Sequence, residues 1–173
     1  MNFQLSPDQH NAIIGICDTL LKSDPRKSAL AVLTGSAGTG KTTTVTEIIN
    51  QVKTYTPTPN IELCATTNRA ASVLQDIVGY PVQTAHALFK LRPSVTKYGK
   101  EILKSSGICD IATGSLVVID ESSMIGNGFL KAIVEQVQKK ALKLLFVGDP
   151  VQLPPMSDVC TLFDGSLPTY TLT

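Results

Sequence analysis

One run of residues, Gly35-Ser36-Ala37-Gly38-Thr39-Gly40-Lys41-Thr42, constrains this chain more than any other. It satisfies G-x-x-x-x-G-K-[ST] at every fixed position. A short apolar segment at 28–34 precedes it and a segment with helical spacing, 41–52, follows it. Glycines let the main chain turn its N–H groups toward phosphate oxygens, and the helix N-terminus adds a positive dipole end. The run therefore predicts a strand, a phosphate cradle (a P-loop) and a helix. Gly35, Ala37, Gly38, Thr39, Gly40, Lys41, Thr42 and Thr43 are the expected nucleotide contacts. Lys41 reaches the β- and γ-phosphates, and the Thr42 hydroxyl ligates Mg²⁺, with ATP the expected nucleotide. A chance glycine-rich turn would lack this strand-before, helix-after context.

The remaining chain fits around that unit. Its 173 residues suit one domain, and 43% hydrophobic with 17% charged residues is ordinary globular composition. Ser6-Pro7-Asp8-Gln9 reads as a helix start, with Ser6 as N-cap and Gln9 closing a capping box. Apolar runs at 61–65, 116–119 and 142–147 join 28–34 as four buried strands. Helical spacing over 69–78 and 129–139 lies between strands, and 82–91 reads as a further short helix. Strands alternating with helices imply an α/β, three-layer fold with a mainly parallel sheet. The rhythm breaks at 91–113, where Arg92-Pro93, Tyr98-Gly99 and Ser105-Ser106-Gly107 mark turns; a small insertion with a hairpin is expected there.

Several classes are disfavoured. The apolar runs are too short to cross a bilayer, and Met1-Asn2-Phe3-Gln4 opens no secretory signal, so no membrane role and a cytoplasmic setting are expected. Cys17, Cys64, Cys109 and Cys160 form no C-x-x-C pair, which points to reduced thiols rather than zinc. A net charge of +1 announces no polyanion partner, so any nucleic acid must be gripped by local loops.

Leu116-Val117-Val118-Ile119-Asp120-Glu121 is an apolar run ending in two carboxylates. Beside a P-loop, the first acid, Asp120, is placed to hold the metal, and the second, Glu121, to orient and deprotonate water. Alone, such a pair is usually a solvated strand end.

Leu145-Phe146-Val147-Gly148-Asp149-Pro150-Val151-Gln152-Leu153-Pro154-Pro155 resembles motif III of superfamily 1 helicases, G-D-x-x-Q-L-P-P. The resemblance implies that Gln152 contacts the γ-phosphate and links hydrolysis to strand binding, as an amide that gains or loses a partner can. Gln9 stands where the family's Q motif reads adenine, although a capping role needs no ligand. Ala65-Thr66-Thr67-Asn68-Arg69-Ala70-Ala71 resembles motif Ia, usually A-P-T-x-x-A-A, with Thr66 in place of proline. Thr84-Ala85-His86 resembles the T-x-H of motif Ib. By resemblance, Thr67, Asn68, Arg69, Thr84 and His86 face single-stranded DNA; a lone histidine at a helix start is more often a structural donor.

Residues 5–173 together resemble the first RecA-like domain, 1A, of superfamily 1B helicases of the RecD and Dda type. The family implies ATP-dependent 5′→3′ movement on single-stranded DNA by a monomer. It also implies that 91–113 is a 1B-type pin, with Tyr98, Ile102 or Leu103 as an apolar wedge or as packing onto the domain. The second RecA-like domain and its arginines are not in these 173 residues, so the piece alone is expected to bind Mg-nucleotide weakly, to hydrolyse it poorly and not to unwind DNA. A P-loop nucleoside or small-molecule kinase and a non-catalytic nucleic-acid-binding remnant remain alternatives here.

Overall fold

The computed structural model describes residues 4–22, 24–55, 60–97, 101–152 and 159–173, with Glu101 described in its backbone alone. Helix α1 (Pro7–Leu21) begins at the capping box: Gln9 N–H donates to Ser6 Oγ at 3.2 Å and Ser6 N–H to Gln9 Oε1 at 2.8 Å. Strand β1 (Ala29–Gly35) leads through the P-loop into α2 (Lys41–Tyr55). Then come β2 (Ile61–Ala65), α3 (Asn68–Val78), β3 (Val82–Thr84) and α4 (Ala85–Leu88). Strands β4 (Leu91–Val95) and β5 (Glu101–Ser105) form an antiparallel hairpin. Strand β6 (Leu116–Asp120), α5 (Asn127–Lys139), β7 (Lys143–Gly148) and β8 (Thr169–Leu172) complete the order.

Six strands pair in the order β3-β2-β6-β7-β1-β8, all parallel. Both faces of this sheet are covered, which is why its strands read as unbroken apolar runs rather than alternating ones. Side chains nonetheless sort by strand parity. Val32, Val117, Ile119, Leu144 and Phe146 pack with α4, α5 and the hairpin's Leu91 and Leu103. Ala31, Leu33, Leu116, Val118, Leu145 and Val147 pack on the other face with α1 and α2. Each fully buried Leu or Ile contributes about 1.5–3 kcal/mol, so these two clusters fix the sheet and carry its loops. Among the described residues no helix is long and apolar enough to cross a membrane.

Two expectations need correction. Residues 82–91 are not one helix. Val82, Gln83 and Thr84 pair with Leu63, Cys64 and Ala65, and Val82 N–H donates to Gln75 Oε1 at 3.1 Å. Only after Thr84, whose Oγ accepts from Ala87 N–H at 3.2 Å, does one helical turn form. It stops at Lys90, whose φ of 52° lies in the left-handed region. The spacing of Val82, Ala85, Leu88 and Phe89 suits a helix, but edge pairing with β2 wins. The core sheet also has six strands rather than four, because β3 and β8 flank the central ones. Tyr98-Gly99 and Leu153-Pro154-Pro155 lie outside the described residues.

Candidate active site

Parallel pairing brings the carboxyl ends of β1, β6 and β7 to one edge of the domain, where their loops meet. The P-loop leaves β1 at Gly35. Gly38 and Gly40 hold φ values of 85° and 83°, a region that costs an L-residue roughly 1–2 kcal/mol. A Cβ on Gly38 would point into open space, while one on Gly40 would lie 2.2 Å from Gln9 Nε2. Ser36, Ala37 and Gly38 are exposed, and Thr39 Oγ donates back to Ser36 O at 2.9 Å. The Lys41 ammonium donates to the carbonyls of Gly35 (2.7 Å) and Ser36 (2.9 Å), which holds it over the loop. Thr42 is half-buried in the first turn of α2, and Thr43 is exposed beside it.

Gln9 serves two ends at once. Its Oε1 is engaged by Ser6, and its Nε2 donates to Thr39 O at 3.4 Å. The capping role is therefore real, and the same amide stands against the phosphate loop with a second N–H and a second lone pair uncommitted by these bonds.

Asp120 ends β6 and Glu121 follows it with φ 54° and ψ 37°. Burial pushes the Asp120 carboxyl up, against the Glu121 N–H that donates to its Oδ1 at 2.9 Å and against the Lys41 ammonium. Glu121 is raised too, first by burial and then by the charge of Asp120, with Asp149 adding a smaller push and Lys41 opposing. A carboxylate raised in this way is a better proton acceptor. The Thr42 hydroxyl and the Asp120 carboxylate supply hard oxygen donors of the kind Mg²⁺ takes, and the glycine cradle at a helix N-terminus suits phosphate, so the residues present fit both groups.

Asp149, buried at the end of β7, accepts Val151 N–H on Oδ1 at 3.0 Å and Gln152 N–H on its carbonyl at 3.1 Å. That turn leaves Gln152 exposed.

A cleft of about 250 Å³ adjoins the acids, lined by Thr67, Arg69, Ala70, Val73, Asp120, Glu121 and Met124. Thr67 Oγ caps α3 by accepting Ala70 N–H at 3.1 Å, which leaves its O–H free to donate outward. Asn68 and Arg69 are exposed in the first turn of α3. Thr84, at the end of β3, and His86, on α4, do not line this cleft. His86 packs its ring 4.3 Å from that of Phe129, and burial lowers its pKa, so it is suited to act as a neutral donor rather than a cation. One residue escaped sequence reasoning: Thr66 donates its hydroxyl to the Glu121 carbonyl at 3.1 Å. Its only signal was a threonine where the motif usually has proline.

A parallel sheet with a glycine cradle on one strand and paired acids two strands away defines a P-loop α/β domain of RecA-like architecture. The family model described as an AAA domain matches residues 23–158. The chain belongs to that family, and within it to the N-terminal motor domains of superfamily 1B helicases. It is 32% identical over 143 residues to the ATP-dependent RecD2 DNA helicase of Deinococcus radiodurans, covering 83% of this chain and 18% of the relative. It is 27% identical over 152 residues to the ATP-dependent DNA helicase dda of Enterobacteria phage T4, covering 88% of this chain and 33% of that one. In fold it is similar to the crystal structure of Pif1 helicase from Candida albicans, with a TM-score of 0.65 at 21% identity, over 98% of this chain and 39% of the other. The chain thus spans a third or less of the length of the curated relatives named here.

Proposed function

We propose that this chain is the ATP-hydrolysing first motor domain of a DNA helicase, coupling hydrolysis to movement along single-stranded DNA. The observation that carries the reading is the shared cleft, in which the acids of the phosphate site and the α3 cap loop line one space. A nucleotide site alone needs no such neighbour.

In this reading the P-loop amides and Lys41 hold the β- and γ-phosphates, and Gln9 offers its remaining N–H and lone pair to adenine. Thr42 and Asp120 hold Mg²⁺, which when bound neutralises charge on the β- and γ-phosphate oxygens. Glu121 accepts a proton from water as its oxygen attacks the γ-phosphorus, and the bond from that phosphorus to the bridging oxygen breaks, releasing ADP and phosphate. Gln152 senses whether the γ-phosphate is present. Thr67, Asn68 and Arg69 donate to DNA phosphates from one side of the cleft, with Thr84 and His86 extending the track from the end of β3 into α4. A second RecA-like domain closes over the nucleotide and supplies arginines to the transferred group, in a monomeric cytoplasmic enzyme. Residues 91–113 act as the pin that parts the duplex; in that role Leu103 is packing rather than wedge, since it lies against the core.

Binding of a Mg·ATP analogue to wild type and to Lys41→Ala tests the site. Affinity should drop by about ten-fold or more for the variant, as when a hydrogen bond to a charged group is lost. Equal affinities would overturn the assignment. Anisotropy of a labelled single-stranded oligonucleotide should show binding that weakens steeply with salt.

A further inference from the structure

The two halves of the shared cleft are joined by a bond that neither half requires. Thr66 lies between β2 and α3, immediately before the Thr67 cap. Its hydroxyl crosses to the Glu121 carbonyl at 3.1 Å. Glu121 is a place where such a bond has leverage. Its backbone is in the left-handed region, a sparsely populated state that holds only when surrounding contacts fix it. The same carbonyl accepts Met124 N–H at 3.3 Å, so it anchors the single turn Ser122–Met124 as well. Ser122 in turn donates its hydroxyl to Val147 O at 2.8 Å on β7, next to the Gly148-Asp149 end. A shift of the loop before α3 therefore reaches the backbone of Glu121 directly, through one hydrogen bond, while the Glu121 side chain stays free for water.

We propose that Thr66 is a positioning residue through which occupancy of the α3 cap loop by a DNA phosphate sets the orientation of Glu121. The inference rests on the motor reading above and deepens it, because it names the link by which a strand in the cleft changes the rate of hydrolysis. Thr66 itself touches neither nucleotide nor reacting atoms. Its neighbours Thr67 and Arg69 meet the phosphate; when they move toward it, the Thr66 hydroxyl carries the Glu121 carbonyl along. A proline at this position has no hydroxyl and could not make the contact.

The test compares wild type, Thr66→Val and Thr66→Ser. ATP hydrolysis is measured with and without a saturating oligo-dT strand, and strand affinity by anisotropy. Thr66→Val should lose about ten-fold of the strand-stimulated kcat, the size of an ordinary coupling between sites, with KM for ATP and strand affinity within about twofold. Thr66→Ser, which keeps the hydroxyl, should restore stimulation to within about threefold of wild type. Full stimulation in Thr66→Val would overturn the link and leave the motor reading standing. A parallel loss of strand affinity would also overturn it, in favour of direct contact with DNA. A wild type that hydrolyses ATP but ignores the strand would overturn both. Hydrogen exchange of the amides of residues 121–124 gives a readout independent of turnover and of any folding defect in a variant. Strand binding should change their exchange in wild type; unchanged exchange there would overturn the proposal even if no hydrolysis were seen.

Discussion

At the phosphate end, the loops after β1, β6 and β7 are shaped by backbone: glycines at positive φ, parallel pairing, and carbonyls that hold Lys41. At the hairpin end, β4 and β5 pair only with each other and are tied to the domain by side chains. Gln136 of α5, 2% exposed, does most of that tying. Its Nε2 donates to Ser105 Oγ at 2.7 Å and to Gly107 O at 3.1 Å, while its Oε1 accepts Cys109 N–H at 3.3 Å. Leu91 and Leu103 add apolar contact on the same side. The outer side carries Arg92 directly opposite Lys104, an arrangement of like charges that weakens a ladder. The difference teaches that chemistry and stability are lodged in different places. A side chain such as Glu121 at the phosphate end should be changeable without loosening the fold, and one such as Gln136 at the hairpin end should loosen the fold without touching the phosphate site.

Glu121→Gln gives the largest expected effect. Turnover should fall by about 10²–10⁴-fold through loss of the general base, with nucleotide affinity and melting temperature nearly unchanged. A large drop in melting temperature would break the comparison. Asp149→Asn sharpens it by pH. Asp149 helps to raise Glu121, so removing its charge favours the ionised glutamate, and the rising limb of the pH–rate profile should move to lower pH. A limb that stays in place would separate Asp149 from the base. Gln136→Met should lower stability by about 1–3 kcal/mol, because the buried Cys109 N–H loses its acceptor, and Mg·ATP-analogue affinity should not change. Tyr170→Phe is the mildest. It removes a hydroxyl that donates to Gly15 O at 2.8 Å and lies 2.7 Å from Thr19 Oγ, so a loss of about 1 kcal/mol in denaturant unfolding is expected.

What could be read from the sequence divides along the same line. Lys41, Thr42, Asp120 and Glu121 stood out because phosphate and metal chemistry fixes both residue type and spacing, and the apolar runs beside them placed the central strands. Gln136 gave no sign. It occupies a polar position on an amphipathic helix, and only the fold brings residues 105–109 to it. Strand β8 was invisible for a similar reason. Thr169–Leu172 has little apolar character and is held by pairing with Val32, Leu33, Thr34 and Gly35, a partner more than a hundred residues earlier in the chain. Thr66 was noticed as a departure from a pattern, but nothing in the sequence told where its hydroxyl goes.

The left-handed backbone of Glu121 has an evolutionary consequence. A glycine there would relieve roughly 1–2 kcal/mol of steric conflict, offset in part by about 0.5–1 kcal/mol of added freedom in the unfolded chain. It would also release a half-buried carboxyl from the repulsion of Asp120. A lineage that no longer needed hydrolysis would thus meet no barrier to discarding this acid and could drift toward a sturdier, inert nucleotide binder.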